Sequence, residues 1–264
     1  MGYDKMLNND QRSVRGQTGR GLLRSLAVAA LVGSLTACAG SHKNVEASAS
    51  SGVNDPYEGM NRKMFNFNLK LDKYLLKPVA RTYRDVLPDW SRSAIRSGLN
   101  NLATPVTLAN DLLQGDFTRA GETVTRFTIN TLYGPLGVRD LAAENGTAPH
   151  SEDFGQTLGV WGVKSGPYLV LPFFGPSSPR DAGGMVVDIA FDPLTYVDLN
   201  DYFWVPIAVR GVDIVDERSR TLDTLDDLQK TSIDFYASVR SLYTQARANA
   251  ILNGEMDDTQ LPDL

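Results

Sequence analysis

Asp55-Pro56-Tyr57-Glu58-Gly59-Met60-Asn61-Arg62-Lys63-Met64-Phe65-Asn66-Phe67-Asn68 reads as the start of a helical domain. Asp is a good helix N-cap and Pro suits the first helical turn. From Tyr57 onward, Met60, Met64, Phe67, Leu71 and Tyr74 recur every three to four residues, the spacing of one helix face. On a soluble protein such a stripe is core; on a membrane-tethered one it also suits acyl chains, and the pattern leaves both open.

Working toward the C-terminus, Pro78 is expected to interrupt this helix, with a second short one over Val79 to Leu87. Pro88-Asp89 starts another, with Ile95, Leu99 and Leu102 on one face. Thr104-Pro105 reads as a cap and N1 proline opening Val106 to Gln114, and Gly115 as its C′ stop. Asp116 caps an amphipathic helix whose Ala120, Val124, Phe127 and Thr131 share a face, ended by Gly134-Pro135. Residues 146–184 differ. They hold eight of the 23 glycines, interleaved with Phe154, Trp161, Tyr168, Phe173 and Phe174. A stretch both flexible and greasy is unusual for a surface loop, and short strands or a hairpin fit it. Met185 to Leu199 is apolar again, broken at Pro193. Asp213 to Gly254 reads as one or two helices with Leu222, Leu225, Leu228, Ile233, Tyr236, Val239 and Tyr243 as the stripe. The fold class is mainly α, with one Gly-rich aromatic loop or hairpin.

Toward the N-terminus, residues 39–54 are Ser-, Ala- and Gly-rich and read as a flexible tether. Before it, Arg12, Arg15, Arg20 and Arg24 precede a short apolar run, Leu26 to Leu35, and then small residues. That is the pattern of a secretory signal over 1–37, too short to span a bilayer. Leu35-Thr36-Ala37-Cys38 resembles a bacterial lipobox and carries the sole cysteine, so Cys38 is the expected lipidation site. Several acyl chains on one residue make a stable anchor, at about 0.8 kcal/mol per buried CH₂. Ala39, rather than Asp, follows the cysteine, which favours the outer membrane facing the periplasm. The domain occupies 55–254, and 255–264 form a polar acidic tail.

Composition narrows the chemistry. The 264 residues carry 26 basic and 31 acidic side chains, and five of the basic ones lie within residues 1–37. A domain this acidic is a poor partner for nucleic acid. One cysteine excludes an internal disulfide, and with two histidines a Cys/His metal site is nearly excluded. No nucleotide-binding glycine motif or Gly-x-Ser-x-Gly elbow is present. Thr147 to Asp153 could place His150 beside Glu152 and Asp153 as an acid/base cluster; a capped turn with solvated charges is the favoured reading. No enzyme activity, cofactor or metal is expected.

Several blocks resemble the MlaA (VacJ) lipoprotein family: Asp55 to Arg62 with Phe65 to Asn68, Thr125 to Thr131, and Glu152 to Gly159. The strongest is Gly166-Pro167-Tyr168-Leu169-Val170-Leu171-Pro172-Phe173-Phe174-Gly175, followed by Arg180-Asp181. They occur in order from Asp55 to Tyr243. The resemblance implies a ring-like helical lipoprotein in the inner leaflet of the outer membrane, with a central amphipathic channel. It implies removal of mislocalised phospholipids from the outer leaflet, transfer to a periplasmic carrier (MlaC-like), and association with a trimeric porin.

Two site expectations follow. The loop from Gly162 to Gly175 lines or gates the channel: Gly162 and Gly166 flex, Pro167 and Pro172 limit the motion, and Tyr168, Phe173 and Phe174 touch acyl chains. A packed supporting hairpin is the equal alternative. Gly162→Pro and Gly166→Pro would stiffen such a loop. Second, Asn66 and Phe67 lie on a membrane-interface helix, with a packed core helix as the alternative. The competing function classes are a structural envelope scaffold without transport and a lipid hydrolase or acyltransferase.

Overall fold

A computed structural model describes residues 53–196 and 204–253. The segments expected to be signal, lipidated Cys38, most of the tether and the acidic tail therefore lie outside the described residues. Among the described residues the elements are helical except for one hairpin: α1 (Glu58–Leu71), α2 (Lys77–Val86), α3 (Asp89–Gln114), α4 (Phe117–Leu132), α5 (Leu141–Glu144), α6 (Phe154–Val160), β1 (Leu169–Leu171), β2 (Gly175–Ser177), α7 (Pro179–Phe191), α8 (Trp204–Arg220), α9 (Leu222–Thr231) and α10 (Phe235–Ile251). None of these helices is long and apolar enough to cross a membrane.

The helix from Glu58 does not break at Pro78. It widens into one π-helical turn, Asp72–Leu76, and continues as α2 with Pro78 in its first turn. The Lys77 N–H reaches back five residues to the Asp72 carbonyl, so the wider turn makes room for the ring. The helix expected to restart at Thr104-Pro105 is likewise continuous: α3 runs through Pro105, and the Thr104 hydroxyl donates to the Asn100 carbonyl. A proline removes one helical hydrogen bond; α3 has contacts to α4, α6, α7 and α8 to offset that. The C′ glycine and the next cap are as expected. Gly115 is left-handed at φ 79°, and the Asp116 carboxylate accepts from the Arg119 N–H.

Asp55 is not the cap of α1. Tyr57 holds that position without a side-chain bond. The Asp55 carboxylate accepts instead from Asn61, Tyr236 and Arg240, tying α1 to α10. The C-terminal region holds three helices rather than one or two. Its stripe splits: Leu222, which opens α9, and Tyr236, near the start of α10, are buried, and Ile233 between α9 and α10 is fully exposed.

β1 and β2 pair antiparallel, Leu169 opposite Ser177 and Leu171 opposite Gly175. The base of this hairpin is the apolar cluster of Phe65, Tyr168, Val170 and Tyr236, with Phe235, Val239 and Tyr243 packed against it. Tyr168 stacks edgewise on both Tyr236 and Tyr243.

Most of the remaining buried side chains are polar. α4 buries Ala120, Thr123, Arg126 and Asn130, and leaves Val124 and Phe127 exposed. α7 buries Asp181 and Gly184 and exposes Val186 and Ile189; α8 buries Asp216, Arg218 and Ser219 and exposes Ile207 and Ile214. The shared face expected for α4 therefore divides, Ala120 inward and Val124 and Phe127 outward. Met60 and Phe67 of the α1 stripe are also exposed, while Asn61 and Phe65 are buried. The usual amphipathic rule is inverted on these helices.

Candidate functional site: a clamped hairpin in a polar interior

The hairpin is held by two asparagines of α1, seven residues and so two turns apart. Asn61, fully buried, donates to the Tyr168 carbonyl (2.9 Å) and accepts from the Val170 N–H (3.0 Å). Asn68 donates to the Leu171 carbonyl (2.8 Å) and accepts from the Phe173 N–H (3.0 Å). Each side-chain amide thus substitutes for a neighbouring strand, satisfying one acceptor and one donor of the hairpin backbone. Pro172, Phe173 and Phe174 form the tip. Phe173 sits at φ +68°, a region unfavourable for a bulky side chain. The bond from its N–H to Asn68 helps hold it there. Phe173 and Phe174 are 71% and 73% exposed, and Phe173 meets Phe67 edge-on at 5.7 Å.

The expected site residues separate. Phe173, Phe174 and Pro172 stand at the tip with Phe67 beside them, and Asn66 is exposed on α1. Tyr168 is not at the tip: at 3% exposure it lies in the apolar cluster, out of reach of acyl chains. It immediately precedes β1, at the base of the hairpin and so at the end away from the tip. Burial pushes its phenol up to about 12. Pro167 is half-buried just before it. Gly162 and Gly166 are left-handed turn residues, φ +86° and +77°. Gly162 closes α6: its N–H reaches the Gly159 carbonyl, and the Val163 N–H reaches that of Leu158, a Schellman stop. Proline fixes φ near −65°, so Gly162→Pro or Gly166→Pro would break these turns and not report on motion.

Sequence reasoning missed the residues that position the hairpin. Asn61 and Asn68 carried a signal, since asparagine is unfavourable inside helices and these two share a face. At the hairpin's base, Arg62 lies over the Tyr236 ring at 4.4 Å and pairs with Asp234 and Glu58. Behind it, Arg247 of α10 grips Asp153 through both carboxylate oxygens (2.6 and 2.9 Å) and Asp181 (2.8 Å). Asp153 caps α6 by accepting from the Gln156 N–H, and Asp181 lies in the first turn of α7. Tyr243 also donates to Asp181.

His150 and Glu152 are not solvated as expected. The His150 ring meets both Asp111 and Thr123 through Nε2, and the buried Glu152 carboxylate takes Gln114 and Arg119. A base needs its orienting partner on the second ring nitrogen; here one nitrogen serves both, which fits stitching of α3 to α4. Beside His150 a polar cleft opens between these helices, lined by Asn100, Asn101, Thr104, Thr107 and Asn130. Among the described residues no group of three or more His, Cys, Asp or Glu could hold a metal ion.

These carboxylates make stability pH-dependent. Burial pushes Asp55, Asp153 and Asp181 up, but their hydrogen bonds and arginine neighbours outweigh it and hold all three below the usual range. Arg62 brings Asp234 down to about 2. Such groups stabilise the fold fully above the unfolded carboxylate range, near 4, and lose that contribution as pH falls toward their folded values. Glu152 and Asp188, raised by burial, act in the opposite sense and gain on protonation. The lowered group is larger, so the urea midpoint of the protein in detergent should fall steadily below about pH 4. An unchanged midpoint at pH 3 would contradict this balance.

Known proteins are similar to this chain over most of its length. The family model described as MlaA lipoprotein matches residues 53–250. The Escherichia coli (strain K12) protein named intermembrane phospholipid transport system lipoprotein MlaA is 36% identical over 220 residues, 80% of this chain and 84% of the relative. The protein of that name from Haemophilus influenzae (strain ATCC 51907 / DSM 11121 / KW20 / Rd) is 31% identical over 239 residues, 87% of this chain and 91% of the relative. A solved structure described by the words "Structural basis for maintenance of bacterial outer membrane lipid asymmetry" superposes with a TM-score of 0.67 at 37% identity, covering 75% of this chain and 98% of that one. With its family-model match, its helical build and its relatives in agreement, the chain belongs to the MlaA lipoprotein family.

Proposed function

We propose that this protein is an outer-membrane lipoprotein, anchored through acylated Cys38 and seated as a ring in the inner leaflet. It provides an amphipathic channel by which mislocalised phospholipids leave the outer leaflet. A periplasmic carrier (MlaC-like) takes them for retrograde transport, which maintains lipid asymmetry, and a trimeric porin is its partner in the membrane.

The observation that carries this reading is the inverted amphipathicity. Val124, Phe127, Val186, Ile189, Ile207 and Ile214 face outward from helices whose inward faces are Asn, Thr, Asp and Arg. Exposed apolar surface on this scale marks contact with something apolar, and acyl chains meet that need on all three helices at once. Lipid flip is slow because a charged headgroup must cross hydrocarbon. A polar path removes that barrier without bond chemistry, and direction then comes from the acceptor downstream. The tip residues Phe173 and Phe174, with Phe67, act as the gate, and Asn66 with Phe67 sits at the interface.

The test is outer-leaflet phospholipid content in cells lacking the protein. A rise is expected on deletion, reversed by the wild-type gene and not by Cys38→Ser. Full rescue by Cys38→Ser would remove the anchor from the mechanism. No rise would favour the scaffold role.

A further inference from the structure

The arginines and the lysines of the described residues differ in how they are paired. Among the described residues every arginine stands within 4.0 Å of a carboxylate, from Arg62–Asp234 on α1 to Arg247–Asp181 on α10. Lys77 and Lys230 are paired too. Among the described residues Lys63, Lys70 and Lys73 have no carboxylate partner within 4.0 Å. All three are exposed, and all lie on α1 or its π-helical turn.

Their placement follows the exposed apolar stripe. Met60 and Phe67 are seven residues apart, and Tyr74 stands a further seven along. Lys63 and Lys70 follow Met60 and Phe67 by three residues, which puts them one step round the same flank. Lys73 leans over the Tyr74 ring at 5.5 Å. An apolar ridge edged by ammonium groups on flexible stems suits the boundary between acyl chains and headgroups, where the stems lie in hydrocarbon and the charges reach the phosphates.

We infer that the lysine row of α1 is a contact for anionic phospholipid headgroups, so that this helix gathers phosphatidylglycerol-type lipids from a mixed leaflet. This rests on the reading that the exposed apolar faces lie in lipid. The partner is a lipid surface because the lysines border an apolar ridge. The rest of the chain is net acidic, so the attraction is local to α1. Phosphatidylethanolamine, with no net charge, gains less from the same ammonium groups.

The test uses the full acylated lipoprotein carrying Tyr74→Cys, labelled with a bimane fluorophore. Acylation occupies Cys38, the only cysteine, and leaves the new thiol as the one to label. The protein is placed in vesicles of phosphatidylethanolamine and phosphatidylglycerol at fixed composition, with brominated acyl chains on one lipid or the other. The expected result at low salt is local enrichment of phosphatidylglycerol by up to about fivefold per effective lysine. High salt should collapse it, and so should Lys63→Gln/Lys70→Gln/Lys73→Gln with the melting midpoint unchanged. Equal quenching by both lipids, unmoved by the triple substitution, would overturn the inference and leave the lysines for an acidic protein surface. Quenching by neither would overturn the embedding reading and the inference with it.

Discussion

Arg247→Ala should cost about 3–5 kcal/mol of stability. The guanidinium joins three helices at one point. It spans both oxygens of Asp153 at the start of α6, and its second nitrogen also reaches Asp181 at the start of α7. Removing it leaves Asp153 without an arginine and Asp181 with only Arg180 and Tyr243, with burial still opposing both charges. Around this point α6 and α7 approach closely enough that a Cβ on Gly184 would lie 2.3 Å from the Gly155 nitrogen. Arg247→Lys keeps the charge but cannot span a carboxylate and reach a second one, so it should recover only part of the loss. Arg139→Ala, which breaks an exposed pair with Glu144, should leave the midpoint unchanged. Denaturant midpoints of the three variants in detergent decide the matter. An Arg247→Ala midpoint equal to that of Arg139→Ala would show that α6, α7 and α10 are held by packing alone.

The same contrast explains what could be read from the sequence. Spacing located the helices well, since the caps at Asp116 and Gly115 and the greasy glycine-rich hairpin are local signals. Two prolines misled. Pro78 and Pro105 each lie inside continuous helix, because a widened turn or contacts from neighbouring helices absorb one missing hydrogen bond. Burial was the harder question. Val124 and Phe127 mark the outward face of α4 and Thr123, Arg126 and Asn130 the inward one. Periodicity reports that a helix has two faces and is silent on which one the protein keeps. The positioning residues were hidden for a further reason. Arg247 is 66 residues from Asp181, and Asn61 is 109 from Val170, so their meanings exist only once the chain has folded.

Asn61 and Asn68 should give opposite results although they make the same pair of bonds. Asn61→Leu preserves size but strands a buried carbonyl at Tyr168 and a buried N–H at Val170, and removes a donor from Asp55. Each buried group left unpaired costs roughly 1–3 kcal/mol, so a loss of about 3 kcal/mol or more is expected. The hairpin base should open, with faster hydrogen exchange at the Val170 amide. Asn68 works where solvent reaches. After Asn68→Leu, water can serve the Leu171 carbonyl and the Phe173 N–H, so the midpoint should barely move. The tip changes instead. Without the Asn68 oxygen, Phe173 relaxes from φ +68° toward the negative values that a bulky residue prefers, and its amide loses protection. The two phenylalanines then leave their place beside Phe67. If they gate lipid passage, outer-leaflet phospholipid should rise toward the deletion level in cells making the Asn68→Leu protein at normal abundance. A normal outer leaflet together with an unprotected Phe173 amide would assign the tip to packing and remove it from the transport path.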